Sequence, residues 1–148
     1  MNRRSLLFAL PGLVCLATSA LAQTVNNLPP MTAVTFAPGS TSTTLAGELA
    51  PGARRVYYVL AKAGQTLNVS VMPVSTGITF QVFRADAALA KGVDGMAVVT
   101  GGTLPDAGPG DAARAWIGAV PRDGNYPILV TRSASAGPGP YNLTVSLQ

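Results

Sequence analysis

Residues 141–148 (YNLTVSLQ) alternate without a slip: Tyr141, Leu143, Val145 and Leu147 to one side, Asn142, Thr144 and Ser146 to the other. A period of two marks a strand with one buried and one wet face, because successive side chains leave a pleated backbone in opposite directions. The pattern recurs in residues 66–72, where Leu67, Val69 and Val71 oppose Asn68 and Ser70. In residues 78–84 (ITFQVFR), Ile78, Phe80 and Val82 share a face. Residues 54–61 (RRVYYVLA) split into Val56, Tyr58 and Leu60 against Tyr57 and Val59. No segment sustains a helical period over a useful length, so the chain is predicted to be all-β.

Turn chemistry separates these runs. Pro51-Gly52, Ala63-Gly64 and Thr76-Gly77 break the chain, and Pro121-Arg122-Asp123-Gly124 reads as a tight hairpin whose Asp-Gly pair supplies positive φ. The hairpin joins strands expected at 115–120 (AWIGAV) and 125–131. Weaker strands are expected at 33–36 and 45–49. Between residues 85 and 113 the pattern fades: one helical turn is expected at 86–89, a short strand at 96–99 and a loop at 101–110 (GGTLPDAGPG). Such long irregular stretches are often functional or mobile. Seven to nine short strands joined by turns predict an antiparallel β-sandwich rather than a barrel.

The first 22 residues read as an export signal. Arg3 and Arg4 form a positive n-region, residues 6–16 an apolar stretch, and Ala20-Leu21-Ala22 a small-x-small cleavage site. The apolar run is shorter than the roughly 20 residues a membrane-spanning helix needs. The arginine pair suits an ordinary secretory n-region and also occurs in twin-arginine signals. Val14 precedes Cys15, so Cys15 is read as filler rather than a lipid-bearing cysteine. Residues 1–22 are thus a predicted signal peptide and 23–148 a single domain, with 23–32 an extended lead-in; the mature chain would be periplasmic or secreted.

Loss of the signal removes the only cysteine and two of ten basic residues, leaving eight against six acids. The fold must therefore stand without a disulfide in an oxidising compartment. The remaining bases are scattered, without the dense stripe and stacking aromatics of a nucleic-acid surface.

The sequence has no histidine. Histidine-based triads, Cys-His pairs and zinc sites built on these ligands are excluded for the mature chain. Six carboxylates remain, Glu48, Asp86, Asp94, Asp106, Asp111 and Asp123, with no spacing that pairs two across a cleft. Asp94, Asp106 and Asp111 fall among glycine-rich loops that a calcium ion would suit, yet match no calcium loop; turn capping is the simpler role. No cofactor and no metal is predicted, and binding rather than catalysis. Trp116 is read as core, supported by Ile117 and Val120. One of Tyr57 and Tyr58 must face outward, and Tyr58 beside the arginines is a candidate protein contact. Arg122 and Asp123 at the hairpin tip, with Tyr126 behind them and Arg132 at the next loop, complete the candidate partner-binding set.

The order of segments resembles a known family. GELAPGARRVYYVLAKAGQTLNVSV, ITFQVFRADAALAKG, WIGAVPRDGNYPILV and YNLTVSLQ follow the bacterial pre-peptidase C-terminal domain pattern over residues 44–148. The chain is similar in the same segments to the periplasmic inhibitors of g-type lysozyme. The shared features are Tyr58 followed by Ala61-Lys62-Ala63-Gly64-Gln65, and the hairpin residues Pro121, Gly124 and Tyr126. The resemblance implies a jelly-roll-like sandwich whose end loops enter an acidic lysozyme cleft, with Arg122 and Arg132 as basic contacts and Asp123 near them. Where those inhibitors carry several basic residues after the penultimate strand, this chain has Arg132 and then SASAGPGP. The expected partner is a protein, with lysozyme the leading candidate, or else an envelope glycan bound by a pre-peptidase-type module; no nucleic acid and no membrane span is expected.

Overall fold

The computed structural model describes residues 30–72 and 77–148. The predicted signal peptide and the first part of the lead-in lie outside them. The strands are β1 (Met31–Ala33), β2 (Ser42–Leu49), β3 (Arg54–Ala61), β4 (Thr66–Met72), β5 (Ile78–Val82), β6 (Ala88–Lys91), β7 (Ala97–Thr100), β8 (Ala115–Ala119), β9 (Gly124–Arg132) and β10 (Gly139–Leu147). Two four-stranded sheets run in the orders β1-β3-β9-β5 and β2-β10-β4-β8, and β6-β7 form a separate hairpin. Every pairing is antiparallel except β1 with β3. The all-β sandwich holds, with the central strands where the alternation places them.

One core lies between the sheets. Tyr57 and Val59 of β3, Phe80 and Val82 of β5, and Ile128 and Val130 of β9 pack against Leu67, Val69, Leu143 and Val145. Each such buried side chain contributes roughly 1.5–3 kcal/mol relative to exposure. Tyr57 and Tyr141 approach within this layer and join through their hydroxyls at 2.6 Å. Gly47 stands directly opposite Tyr141. A Cβ at Gly47 would fall 2.5 Å from the Tyr141 ring, so only glycine admits the ring. Burial, then the hydrogen bond to Tyr57, pushes the Tyr141 phenol above its ordinary value. The nearby Tyr57 hydroxyl likewise raises the Arg55 guanidinium.

The second face of β3 is covered too. Val56, Phe83 and Leu129 form a smaller cluster with Ala97 and Val99 of the β6-β7 hairpin. The helical turn expected at 86–89 is therefore replaced by β6. A short alanine-rich run has no strong period of its own, and pairing with β7 decides its state. Similarly, Met31 and Thr32 of the lead-in belong to β1, held against Val56 and Tyr57, two residues earlier than the strand expected at 33–36.

The stretch 101–113 is tied to the edge of the first sheet. Leu104 N donates to Val82 O at 2.9 Å, Val82 N to Ala107 O at 3.0 Å and Phe80 N to Ala113 O at 2.9 Å. Asp111 Oδ2 accepts Gly108 N at 2.6 Å and Asp94 Oδ1 accepts Met96 N at 3.0 Å, which is the turn-capping role. Trp116 is buried, its indole N–H donating to Pro105 O at 2.8 Å. Ile117, counted with it as core, instead points outward and is 66% exposed, since adjacent strand residues face opposite ways.

Candidate binding end

Two turns, β3 to β4 (residues 62–65) and β8 to β9 (residues 120–123), meet at one end of the sandwich and are welded by hydrogen bonds. Asp123 Oδ1 accepts Ala63 N at 2.8 Å. Gly64 N donates to Val120 O at 3.0 Å, and Val120 N to Gln65 O at 2.9 Å. Gln65 Oε1 accepts Lys62 N at 2.8 Å, closing the first turn on itself. The hairpin expected at residues 121–124 is instead a crossover between the two sheets, because β8 pairs with β4 while β9 pairs with β3 and β5. The turn depends on Gly124, at φ 153°, where a Cβ would lie 2.7 Å from the Cβ of Ala85.

Beneath the tip, the buried Tyr126 hydroxyl donates to Arg122 O at 2.6 Å and accepts from Arg122 N at 3.3 Å. The backbone of Arg122 is thus clamped while its side chain stays exposed. Its guanidinium reaches Asp86 at 3.2 Å, in a pair that is more than half open to solvent. Arg84 stands nearby, its Nε donating to Thr103 O at 3.2 Å. Arg84, Asp86, Pro105, Pro121 and Arg122 frame a groove of about 470 Å³ floored by Leu104. Residues 84–87 divide it from a second groove of about 440 Å³, where Tyr58, Met31, Leu89 and Pro127 converge. Leu60, on the same face of β3 as Tyr58, is 68% exposed.

The structure therefore brings Arg122, Asp123 and Tyr58 to one end. Asp123 is occupied in holding the two turns together, and Tyr126 is a buried support rather than an exposed contact. Arg132 lies elsewhere. It closes the strand that Gly124 opens, eight residues away and so roughly 26 Å distant. It is buried, with both terminal nitrogens donating, to Gly137 O and Gly139 O at 2.8 Å each. Its place among the basic contacts is corrected on that ground: the side chain holds the β9-β10 loop. Conversely, Arg84, Asp86 and Lys62 join this end without having been singled out from the sequence. Their only signal was adjacency to strand ends.

Among the described residues no three His, Cys, Asp or Glu side chains gather as metal ligands, and no helix is long and apolar enough to cross a membrane. The end instead offers three cations, two carboxylates and open apolar side chains on a rigid base, a composition suited to gripping another macromolecule.

The architecture is that of a β-sandwich presenting turns from one end, and solved structures share it. The chain resembles the Aeromonas hydrophila PliG, a periplasmic lysozyme inhibitor of g-type lysozyme, at 28% identity and TM-score 0.57, covering 82% of this chain and 98% of that one. The Salmonella Typhimurium PliG aligns at 16% identity and TM-score 0.54 over 80% of this chain and 97% of that one. The pre-peptidase C-terminal domain of a Bacillus anthracis collagenase aligns at 16% identity and TM-score 0.49, over 80% and 96%. No protein-family model matches the sequence, and no curated protein does.

Proposed function

We propose that this chain is an exported protein-binding sandwich that inhibits lysozyme through the welded end carrying Arg122. The reading rests chiefly on one observation: the Arg122 backbone is clamped by Tyr126 and its turn is tied to the β3-β4 turn, which leaves an exposed guanidinium on a preorganised base. Preorganisation lowers the ordering cost of association. The similarity to g-type lysozyme inhibitors over nearly their whole length supports the same reading. In it, Arg122 and Arg84 approach the acidic cleft, opposite charge steers the encounter, and Tyr58 with Leu60 supplies flanking apolar contact. The predicted signal peptide, cleaved after Ala22, delivers the protein to the periplasm or beyond, and the protein acts by binding, not turnover.

A glycan-binding module would need stacking aromatics. Tyr57, Tyr126, Tyr141 and Trp116 are buried, which leaves Tyr58 as the half-open member of that set and favours the protein partner.

The test is lysis of peptidoglycan by g-type, c-type and i-type lysozymes with increasing amounts of the purified protein. Selective inhibition of one type is the expected result. Full lysis by all three at micromolar protein overturns the reading and turns the search toward other envelope partners.

A further inference from the structure

Three arginines keep a buried Nε without a hydrogen-bond partner among the described residues: Arg54, Arg114 and Arg132. Two of them are otherwise engaged, Arg54 by Asp94 and Arg132 by the carbonyls of Gly137 and Gly139. Arg114 differs. Its backbone carbonyl accepts Val71 N at 2.9 Å, but its guanidinium forms no hydrogen bond or ion pair among the described residues. A buried guanidinium Nε–H with no acceptor is costly unless something accepts from it.

What surrounds Arg114 is specific. It lines a groove of about 390 Å³ with Thr79, Thr131, Ser133 and Ser135, and among the described residues no acidic side chain lines that groove. Thr79 and Thr131 are direct cross-strand partners on β5 and β9. Their Cβ atoms are therefore about 5 Å apart, close enough for both hydroxyls to address one small ligand. Ser133 Oγ and Ser135 Oγ lie 2.9 Å apart, so one donates to the other and the pair keeps a free hydroxyl hydrogen. Among the described residues the lining thus sets one cation beside four hydroxyls, with no anionic group to balance it. A neutral sugar would leave the guanidinium unmatched, and a cation would be repelled.

We propose that this groove binds a phosphate group, with Arg114 as the charged ligand and the Thr79 and Thr131 hydroxyls and the one free hydroxyl hydrogen of the Ser133–Ser135 pair as additional donors. Guanidinium matches phosphate oxygens two at a time, which gives such contacts both strength and orientation. Thr131 and Ser133 flank Arg132 at the opposite end of β9 from Arg122, so the site is independent of the lysozyme reading. The phosphate can be a free ion or soluble ester, or the headgroup of an anionic lipid.

The experiment is a proton–nitrogen correlation NMR titration of the protein with inorganic phosphate against a chloride control at matched ionic strength. Saturable shifts of the Gly77, Thr79, Thr131, Ser133 and Ser135 amides are expected. Arg114→Gln weakens them about tenfold or more, Arg114→Lys less, and Arg122→Ala leaves them unchanged. Should Arg114→Gln fail to fold, Thr131→Val with Ser133→Ala supplies the same readout. Co-sedimentation with phosphatidylcholine vesicles, with and without phosphatidylglycerol, separates the sources. Arg114-dependent capture on the anionic vesicles identifies a headgroup, and phosphate binding without capture identifies a soluble phosphate. Shifts equal to those in chloride, or unaltered by Arg114→Gln, overturn the site.

Discussion

Arg122 and Arg132 stand at the two ends of the same strand, and the sandwich treats them oppositely. At one end Arg122 has its backbone fixed by Tyr126 and its guanidinium in solvent. At the other, the backbone of Arg132 pairs with Ala53 and Gly52 while its guanidinium is turned inward to carry the β9-β10 loop. The first end is a rigid mount for an exposed charge; the second uses a charge as the mount. An arginine beside a turn therefore announces a surface contact only when the turn's own carbonyls are already satisfied. Here the loop 133–138 is rich in glycine and proline and leaves the Gly137 and Gly139 carbonyls for Arg132 to satisfy.

That contrast can be broken at several points. Arg132→Ala carries the largest effect. It strips donors from two carbonyls and hollows the site, and denaturant unfolding should show a loss of about 2–4 kcal/mol. Arg132→Lys should recover little of it, because an ammonium lacks the two-pronged geometry.

Tyr141→Phe comes next, at about 1–1.5 kcal/mol, because it leaves the Tyr57 hydroxyl buried without its partner. The same residue sets an alkaline limit. The folded phenol titrates above its ordinary value of 10.0, so the folded state holds its proton where the unfolded state has lost it. This contribution is intact below pH 10 and drains as pH rises above it. Unfolding free energy measured across that range should decline in the native protein and decline less in Tyr141→Phe.

Asp123→Ala unties the two turns and should cost about 1 kcal/mol, with faster amide exchange at Ala63 as the local signature. Asp86→Ala should shift stability by no more than about 0.5 kcal/mol, since its pair with Arg122 is solvent-screened. A large loss at Asp86 would mean that the exposed end is itself structural, and the contrast between the two ends would fail.

Much of the fold was legible. The alternation in β4, β5 and β10 reports a buried face directly. The Asp123-Gly124 pair marked the turn between β8 and β9, but the turn crosses between the sheets instead of closing a hairpin, because each strand finds its partners elsewhere. What escaped were features set by distant partners. The β6 strand exists because β7 and the outer face of β3 are there to receive it. Ile117 looked like core beside Trp116, but a strand alternates and an edge strand spares one face. For the site, Arg122, Asp123 and Tyr58 were recoverable from turn chemistry and exposure arguments. Arg132 was misplaced because strand length, not residue type, decides which end an arginine occupies. Arg84 and Asp86 were invisible, since only the packed sandwich lays residues 84–87 beside the β8-β9 turn.

The central claim is that the Arg122 end does the binding while the Arg132 end does the holding. The most direct measurement is inhibition of g-type lysozyme by the native protein and by Arg122→Ala, with unfolding followed in parallel. The account predicts that Arg122→Ala unfolds within about 0.5 kcal/mol of native and loses about tenfold or more in inhibition. Undiminished inhibition by Arg122→Ala, from a protein that does inhibit in native form, would contradict it.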